Sequence, residues 1–392
     1  MSLNEIPSSQ RIHISFFGLV NSGKSSLVNR LTNQEMSMVS DKKGTTTDPV
    51  KKSMELLPLG PVVIVDTPGF DDDSSLGEKR MEKARQILSK IHIAVLVSEA
   101  GRELNATEKE LLGIFTEKNI PFVIAKNKSD LYDGSKENKC NEVFVSALLN
   151  EGIETLKEKI ASIYRPDQKE IPLVSDLVSK GDIVVLVIPI DSSAPKGRII
   201  LPQQMAIRDI LDKGAVCVMT KEDEYASVLE NLKDKVSLVI CDSQIFSFVD
   251  KNTPESIYLT SFSVLMARKN GFLETAVSGA KTLSELKDGD KILVCEGCTH
   301  HRQCEDIGTV KLPKWIREYT KKDVEFEFTQ GSFFPKDLSP YSLIVHCGGC
   351  MITPKEVMER MKMAKKDNVP FTNYGTLIAH INGILDRSTE ML

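Results

Sequence analysis

The sequence predicts an α/β protein in which one larger strand–helix alternation is followed by two smaller α/β domains, all with mainly parallel sheets. Three observations predict it. Apolar runs of strand length recur along the chain, and stretches with helical spacing separate them, the pattern of parallel sheets covered on both faces. The chain has 392 residues, and at roughly 150 residues per domain that makes two to three domains. Its composition is 41% hydrophobic and 27% charged, which gives enough apolar material for real cores in a water-soluble chain.

The elements follow in order. In the first segment, strands are expected at residues 12–17, 62–65, 93–97 and 122–125, and helices at 25–31, 78–90, 106–118 and 152–164. The polar run RPDQKE at 165–170 reads as a linker, so the first domain is taken as residues 1–168. A second alternation places strands at 183–188, 215–219, 238–241 and 257–260, with helices at 203–211, 225–232 and 244–248. This small domain, 169–267, carries no phosphate loop and no carboxylate pair at a useful spacing. Its basic turn at 194–198 reads as a solvated loop, with a binding turn as the alternative. By elimination the domain is expected to serve docking, dimerisation above all. The third domain, 268–392, places strands at 292–294, 324–328 and 342–345. There Thr353 followed by Pro354 reads as an N-cap and first helical residue, opening a helix over 355–365.

Several function classes are weighed against. No apolar run approaches the roughly 18 residues of a membrane span. Residues 1–5, MSLNE, lack the charged and apolar regions of an export signal, so a cytoplasmic location is expected. The net charge of −5 disfavours a dedicated nucleic-acid binder. Eight cysteines without an export signal are expected as thiols or metal ligands and not as a disulfide framework. Five of them, Cys295, Cys298, Cys304, Cys347 and Cys350, crowd the third domain beside His300, His301 and His346.

The run GLVNSGKS at 18–25 fits GxxxxGK[ST], between a strand and a helix as the motif requires. Chance supplies about 0.01–0.02 such matches in this length, so it is read as a site. Backbone N–H groups of Gly18, Asn21, Ser22, Gly23 and the first helical residues, Ser26 included, would cradle phosphates. Lys24 is expected to reach the β- and γ-phosphates, and the Ser25 hydroxyl to bind Mg²⁺. Asp66–Thr67–Pro68–Gly69 ends a strand, so Asp66 can hold the metal and the Gly69 N–H can meet the γ-phosphate. Between them lies GTTTD at 44–48, where a threonine must reach Mg²⁺ when GTP is bound. Asn127–Lys128–Ser129–Asp130 follows another strand. Asp130 can accept from two guanine donors that adenine lacks, and a polar group left unpaired is a strong means of rejection. Ser146–Ala147–Leu148 would offer a backbone N–H to the guanine oxygen. The first domain is therefore read as a P-loop GTPase.

Over about residues 10–165 the chain resembles the translation-factor-like GTPases, especially the branch containing the tRNA-modification GTPase MnmE and Era. The resemblance implies that Thr46 is the switch threonine, with Thr45 and Thr47 as alternatives. Phe70 stands where Ras-like proteins have a water-orienting glutamine, so hydrolysis is expected to be slow. Asn21 stands where a potassium-stimulated subset has its potassium ligand, which implies K⁺ as a further cofactor. The plainer reading of Asn21 is a loop residue.

The second site joins Cys298–Thr299–His300 to His346–Cys347–Gly348–Gly349–Cys350, with the 45 residues 301–345 between them. Each group follows a predicted strand, and loops at the carboxyl ends of parallel strands gather in one crevice. Three thiolates suit a 4Fe–4S cluster with one exchangeable position, filled by His300, His346, Glu296, Glu305 or an exogenous group. Histidines with cysteines equally suit a structural zinc site, and ligand types alone leave iron–sulfur and zinc open. Cys140, Cys217, Cys241, Cys295 and Cys304 are read as bystanders.

A GTPase domain, a small α/β domain and then CxH…HCxxC together resemble the FeFe-hydrogenase maturation GTPase family, HydF, over nearly the whole chain. The resemblance implies a three-domain homodimer with a 4Fe–4S cluster on Cys298, Cys347 and Cys350 and with His300 and His346 in the motif. It further implies a scaffold and carrier of the two-iron subcluster, with FeFe-hydrogenase apoprotein and radical-SAM maturases as partners. The rival reading is a GTPase for RNA modification or ribosome assembly with a structural zinc module. A third is a regulatory GTPase with redox-sensing cysteines.

Overall fold

The computed structural model describes residues 10–32, 50–70, 87–88, 90–164, 171–190, 199–232, 235–297, 307–331 and 333–392. They fall into two compact units, Met1–Gln168 and Lys169–Leu392. Among the described residues no helix is long and apolar enough to cross a membrane.

The first unit is built on six strands, β1 (Ile12–Gly18), β2 (Val50–Leu56), β3 (Gly60–Asp66), β4 (Ile93–Glu99), β5 (Phe122–Asn127) and β6 (Glu142–Phe144). Their order is β2-β3-β1-β4-β5-β6. Only β2 runs antiparallel, against β3. The inner strands are buried along almost their whole length, which is why they read as unbroken apolar runs. Strand β2 escaped that reading. Its VKKSMEL sequence is mostly exposed, and Lys51 and Lys52 belong to an edge that must not pair further. Helices α1 (Lys24–Thr32), α2 (Ala106–Glu117) and α3 (Ile153–Ile163) cover the sheet. Helix α2 opens on a capping box between Asn105 and Glu108, and fully buried Glu108 takes both guanidinium nitrogens of Arg102 at 2.7 and 2.6 Å. The helix expected at 78–90 lies largely outside the described residues.

The second unit holds two four-stranded, all-parallel sheets. One has the order β10-β9-β7-β8, from β7 (Ile183–Val187), β8 (Val216–Thr220), β9 (Val236–Cys241) and β10 (Tyr258–Ser261). The other is β12-β11-β13-β14, from β11 (Lys291–Glu296), β12 (Glu325–Gln330), β13 (Leu343–His346) and β14 (Phe371–Asn373). A single core runs from Val185, Tyr225 and Phe246 beside the first sheet to Ile292, Leu312 and Leu377 beside the second. Each such side chain contributes about 1.5–3 kcal/mol when fully buried, so neither half could give up the shared contacts cheaply. The helices of the unit are α4 (Leu201–Lys213), α5 (Glu222–Leu232), α6 (Phe246–Asn252), α7 (Phe262–Lys269), α8 (Leu273–Lys281), α9 (Leu312–Thr320), α10 (Pro354–Lys366), α11 (Tyr374–Ile381) and α12 (Leu385–Thr389).

Helix α12 returns to the first sheet. Thr260 Oγ1 donates to Ser388 O at 2.9 Å, and Arg387 donates to Asp250 Oδ1, Thr253 O and Pro254 O at 2.7, 2.9 and 2.8 Å. Strand β8 is an edge, with Val216 47% and Met219 56% exposed.

Candidate functional site

In the first unit the carboxyl ends of β1, β3 and β5 bring three motifs together. Gly23, at φ +84°, sits where a Cβ would come within 2.2 Å of Asn127 Nδ2, so the loop packs on the base-binding motif only with glycine there. Lys24 is buried and donates to Gly18 O and Leu19 O at 3.0 and 2.7 Å, its ammonium folded over the loop. Asn21, also left-handed at φ 63°, stands exposed at the turn. Ser25 Oγ donates to Asp66 Oδ2 at 2.6 Å.

Burial lifts the Asp66 carboxyl above its ordinary range, against the Ser25 hydrogen bond and the Lys24 charge. Its other oxygen, Oδ1, is buried and has no hydrogen-bond partner among the described residues, and the same holds for Ser22 Oγ. A buried orphan oxygen costs about 1–3 kcal/mol, which a bound cation would relieve. A hydroxyl and a carboxylate are hard oxygen donors, and Mg²⁺ fits them.

The segment after Asp66 is stitched to the phosphate loop. Val20 N donates to Phe70 O at 3.0 Å, and Phe70 N to Gly18 O at 3.2 Å. Gly69 lies so close that a Cβ would be 2.9 Å from Val20 Cα. The Phe70 ring is 4% exposed and packs with Phe17, Leu88 and Phe115. It is a core side chain, turned to the interior and chemically unable to orient water.

At the base side, Asn127 is the tie. Its Nδ2 donates to Ser22 O at 2.9 Å, and its Oδ1 accepts from Ala147 N at 3.1 Å. Asp130 Oδ1 accepts from Ser146 Oγ at 2.6 Å, and Lys128 pairs with Glu99. Ser146 N is spent on Glu151 O. Of the run 146–148, expected to offer one N–H to the guanine oxygen, the N–H of Leu148 carries no hydrogen bond among the described residues. A cavity of about 710 Å³ opens here, lined by Gly23, Ser26, Asn127, Lys128, Asp130 and Leu148 among others. Arg30, which the sequence did not single out, holds this loop to α1, its Nε donating to Ala147 O at 2.9 Å. Its only sequence signal is a basic residue in the last turn of the helix that follows the phosphate loop. Thr45, Thr46 and Thr47 lie outside the described residues.

In the second unit, β11 and β13 are parallel neighbours with Cys295 in register with His346, so the loops that leave them start side by side. Cys347 N donates to Cys295 O at 2.8 Å. The Cys347 sulfur accepts from Gly297 N at 3.1 Å and Gly349 N at 3.4 Å. Burial raises the Cys347 thiol pKa, while those two N–H groups favour the thiolate. A sulfur with two backbone donors aimed at it suits a thiolate metal ligand.

His346 departs from the expected ligand geometry. It is fully buried, with Nδ1 2.8 Å from Cys347 O and Nε2 3.1 Å from Arg360 Nη1, so in this arrangement both ring nitrogens are engaged. Burial first, and the Arg360 charge next, bring its pKa down to about 3. Glu296 is buried beside Gln330 Nε2 at 3.3 Å and the Tyr374 hydroxyl at 3.5 Å. Cys295 is a core thiol that burial pushes up to about 12, as a bystander should be. Cys298, His300, Cys304 and Glu305 lie outside the described residues, and among the described ones no three metal-binding side chains gather.

Three family models match the chain: a 50S ribosome-binding GTPase over residues 13–128, a hydrogen maturase F dimerization domain over 173–271, and a hydrogen maturase F tetramerization domain over 274–391. The two hydrogen maturase models together span more than half of the chain. The tRNA modification GTPase MnmE of Clostridioides difficile (strain 630) is 33% identical over 154 residues, 37% of this chain and 33% of that protein. GTPase Der of Wolinella succinogenes is 32% identical over 188 residues, 43% of this chain and 39% of that protein. The chain thus spans a third to two fifths of the length of these two curated relatives. Among solved structures, a single-residue variant of Aquifex aeolicus Era bound to GDP·AlF4⁻ is similar at a TM-score of 0.35 and 18% identity, over 53% of this chain and 92% of that one. The first segment is therefore a GTPase domain by its sequence match and its motifs, and the two segments after it carry the hydrogen maturase matches.

Proposed function

Because the chain belongs to the hydrogen maturase F family, we propose that it is a GTP-hydrolysing scaffold or carrier that holds a 4Fe–4S cluster and assembles or delivers the two-iron subcluster of FeFe-hydrogenase. The observation that carries this reading is the pairing of a phosphate-loop site with a second unit in which Gly297 and Cys347 meet at the ends of adjacent parallel strands. In the GTPase domain, loop N–H groups and Lys24 would bind the phosphates. Ser25, Asp66 and Thr46 would hold Mg²⁺, which neutralises charge on the transferring phosphoryl group. Asp130 would select guanine, and Asn21 would hold K⁺ where other GTPases use an arginine. Phe70 leaves water positioning to other groups, which supports slow turnover. Cys298, Cys347 and Cys350 would hold the cluster, which when bound supplies a redox centre with one iron open to cargo. The domain match at 173–271 supports self-association through that segment. The name of the match at 274–391 adds a tetramer contact to a segment expected to hold the cluster. The proposed partners are hydrogenase apoprotein and radical-SAM maturases, in the cytoplasm.

The test is metal and sulfide analysis of the anaerobically purified full-length protein, with GTP turnover measured on the same sample. The proposal expects about four iron and four sulfide per chain, with iron lost in Cys298→Ala, Cys347→Ala and Cys350→Ala variants that still hydrolyse GTP. Zinc in place of iron would favour the rival suggested by the tRNA modification and Der relatives, whose likeness covers at most 43% of this chain.

A further inference from the structure

We infer that His346 is a positioning residue and not a metal ligand: Arg360 locks its ring, and the ring in turn fixes the backbone of Cys347. The inference rests on the reading of Cys347 as a thiolate ligand and adds what holds that residue in place.

The proton assignment follows from donor chemistry. A guanidinium has donors and no acceptor. Arg360 Nη1 is 3.1 Å from His346 Nε2, so Nε2 is the acceptor and carries no proton. The ring is then neutral with its hydrogen on Nδ1, which donates to Cys347 O at 2.8 Å. No lone pair is left for a metal. Arg360 is held from further sides, by Gly331 O at 2.6 Å and Glu356 Oε1 at 2.8 Å from Nη2, with the Phe334 ring 5.4 Å from its guanidinium carbon. Glu356 sits in the first turn of α10, where its N–H meets the Thr353 cap at 3.2 Å. The Phe371 ring packs against the imidazole at 5.8 Å between centroids. The path Glu356, Arg360, His346, Cys347 O is buried throughout, with exposures of 6%, 3% and 0% for the three side chains.

Two consequences follow. The imidazole restrains the loop whose Gly349 N–H must point at the Cys347 sulfur. Arg360 also places a buried positive charge one imidazole ring away from the Cys347 carbonyl, which favours the more reduced, more negative form of whatever the sulfur binds. A ligand position other than the three thiolates then belongs to a group other than His346.

The first test uses the full-length protein without metal, labelled with ¹⁵N-histidine. The chain has six histidines, so the ring signals can be assigned by substitution. One neutral ring protonated at Nδ1 is expected, missing in His346→Asn and perturbed in Arg360→Met. The second test uses anaerobically reconstituted protein. His346→Asn keeps an amide donor for Cys347 O and should retain iron within about twofold, whereas loss of an outer partner such as Arg360→Met should speed iron loss to a chelator about tenfold. Arg360→Met should lower the reduction potential of the cluster, and Arg360→Lys should restore part of it. The double variant should be little worse than Arg360→Met alone, because the two residues act in series. Glu356→Gln gives the same direction with a smaller effect and serves if Arg360→Met does not fold. An imidazole nitrogen coupling in the electron paramagnetic resonance spectrum that vanishes in His346→Asn, or a metal-free His346 protonated at Nε2, would overturn the inference. A wild type without any iron–sulfur cluster would instead defeat the cluster reading, and the histidine spectrum would still decide whether Arg360 locks the ring.

Discussion

Asp130 presents one oxygen to Ser146 and stands in the wall of the cavity, where a guanine would offer two donors to its carboxylate. Asp130→Asn is expected to weaken GTP binding by roughly 10²–10⁴-fold and to raise affinity for xanthosine triphosphate, whose extra carbonyl accepts from the amide. Competition binding that shows unchanged GTP preference would remove Asp130 from this role. At Asn21, GTP turnover should be several-fold faster in potassium than in sodium at equal ionic strength, with the difference lost in Asn21→Ala. Equal wild-type rates in the two salts would leave Asn21 a loop residue. The residues with fixed spacing, Lys24, Ser25, Asp66, Asn127 and Asp130, were legible because each motif is short and its chemistry needs one residue type. Arg30 and Arg360 were not. Arg30 meets Ala147 across 117 positions, and Arg360 meets His346 only because α10 crosses the end of β13, so no local pattern announces either pair. His346 stood among several candidates for a further ligand position, since sequence shows a histidine beside cysteines and hides the guanidinium beside its ring.

In the second unit, Asp209 on α4 shows how a single carboxylate can pin an element. Its Oδ2 accepts from Val174 N at 2.7 Å and from Ser175 N at 2.9 Å. Burial would raise its pKa, yet these hydrogen bonds outweigh that and leave it below the ordinary 3.8. A depressed carboxylate stabilises the fold above the unfolded pKa, and that stability drains away as pH falls from about 4 through the folded value. Asp209→Ala should therefore cost about 1 kcal/mol at pH 7, tempered by partial exposure, and progressively less in acid. Denaturant melts at pH 7 and pH 3 check this, and an equal cost at both would place its origin elsewhere. Elements with a clear period or cap were readable. Thr353 does cap Pro354–Lys366, and the alternating stretch near 325 is β12. Strands β6 and β14 have three residues each, too few for any period to show. Helices α7 and α11 carry buried residues on nearly every side and lack the one-sided stripe that marks a surface helix.

For the molecule as a whole, the open edge of β8 is, among the described residues, a surface suited to self-association. Exposed apolar groups on an open sheet edge invite another strand. Met219→Lys should weaken association roughly tenfold, since it sets a charge where about 1–2 kcal/mol of apolar burial was available. Sedimentation of wild type and variant over a range of concentrations checks it, and identical profiles would send the contact to another surface. The alternation of strands and helices made the sheets legible, but not their union, because a core shared by Val185 and Leu377 depends on contacts that no segment contains by itself. Helix α12 carries that union furthest. Strand β10 takes a contact from Ser388, and the turn before it takes contacts from Arg387, both made more than a hundred residues after β10. On the ribosome, the described strands of the GTPase unit are all made before the second unit begins, whereas the first sheet of that unit has its four strands by Ser261 and gains its α12 contacts only near residue 388. Its apolar face lacks those partners while residues 262 to 384 are made, and a chain released within that interval would leave it uncovered.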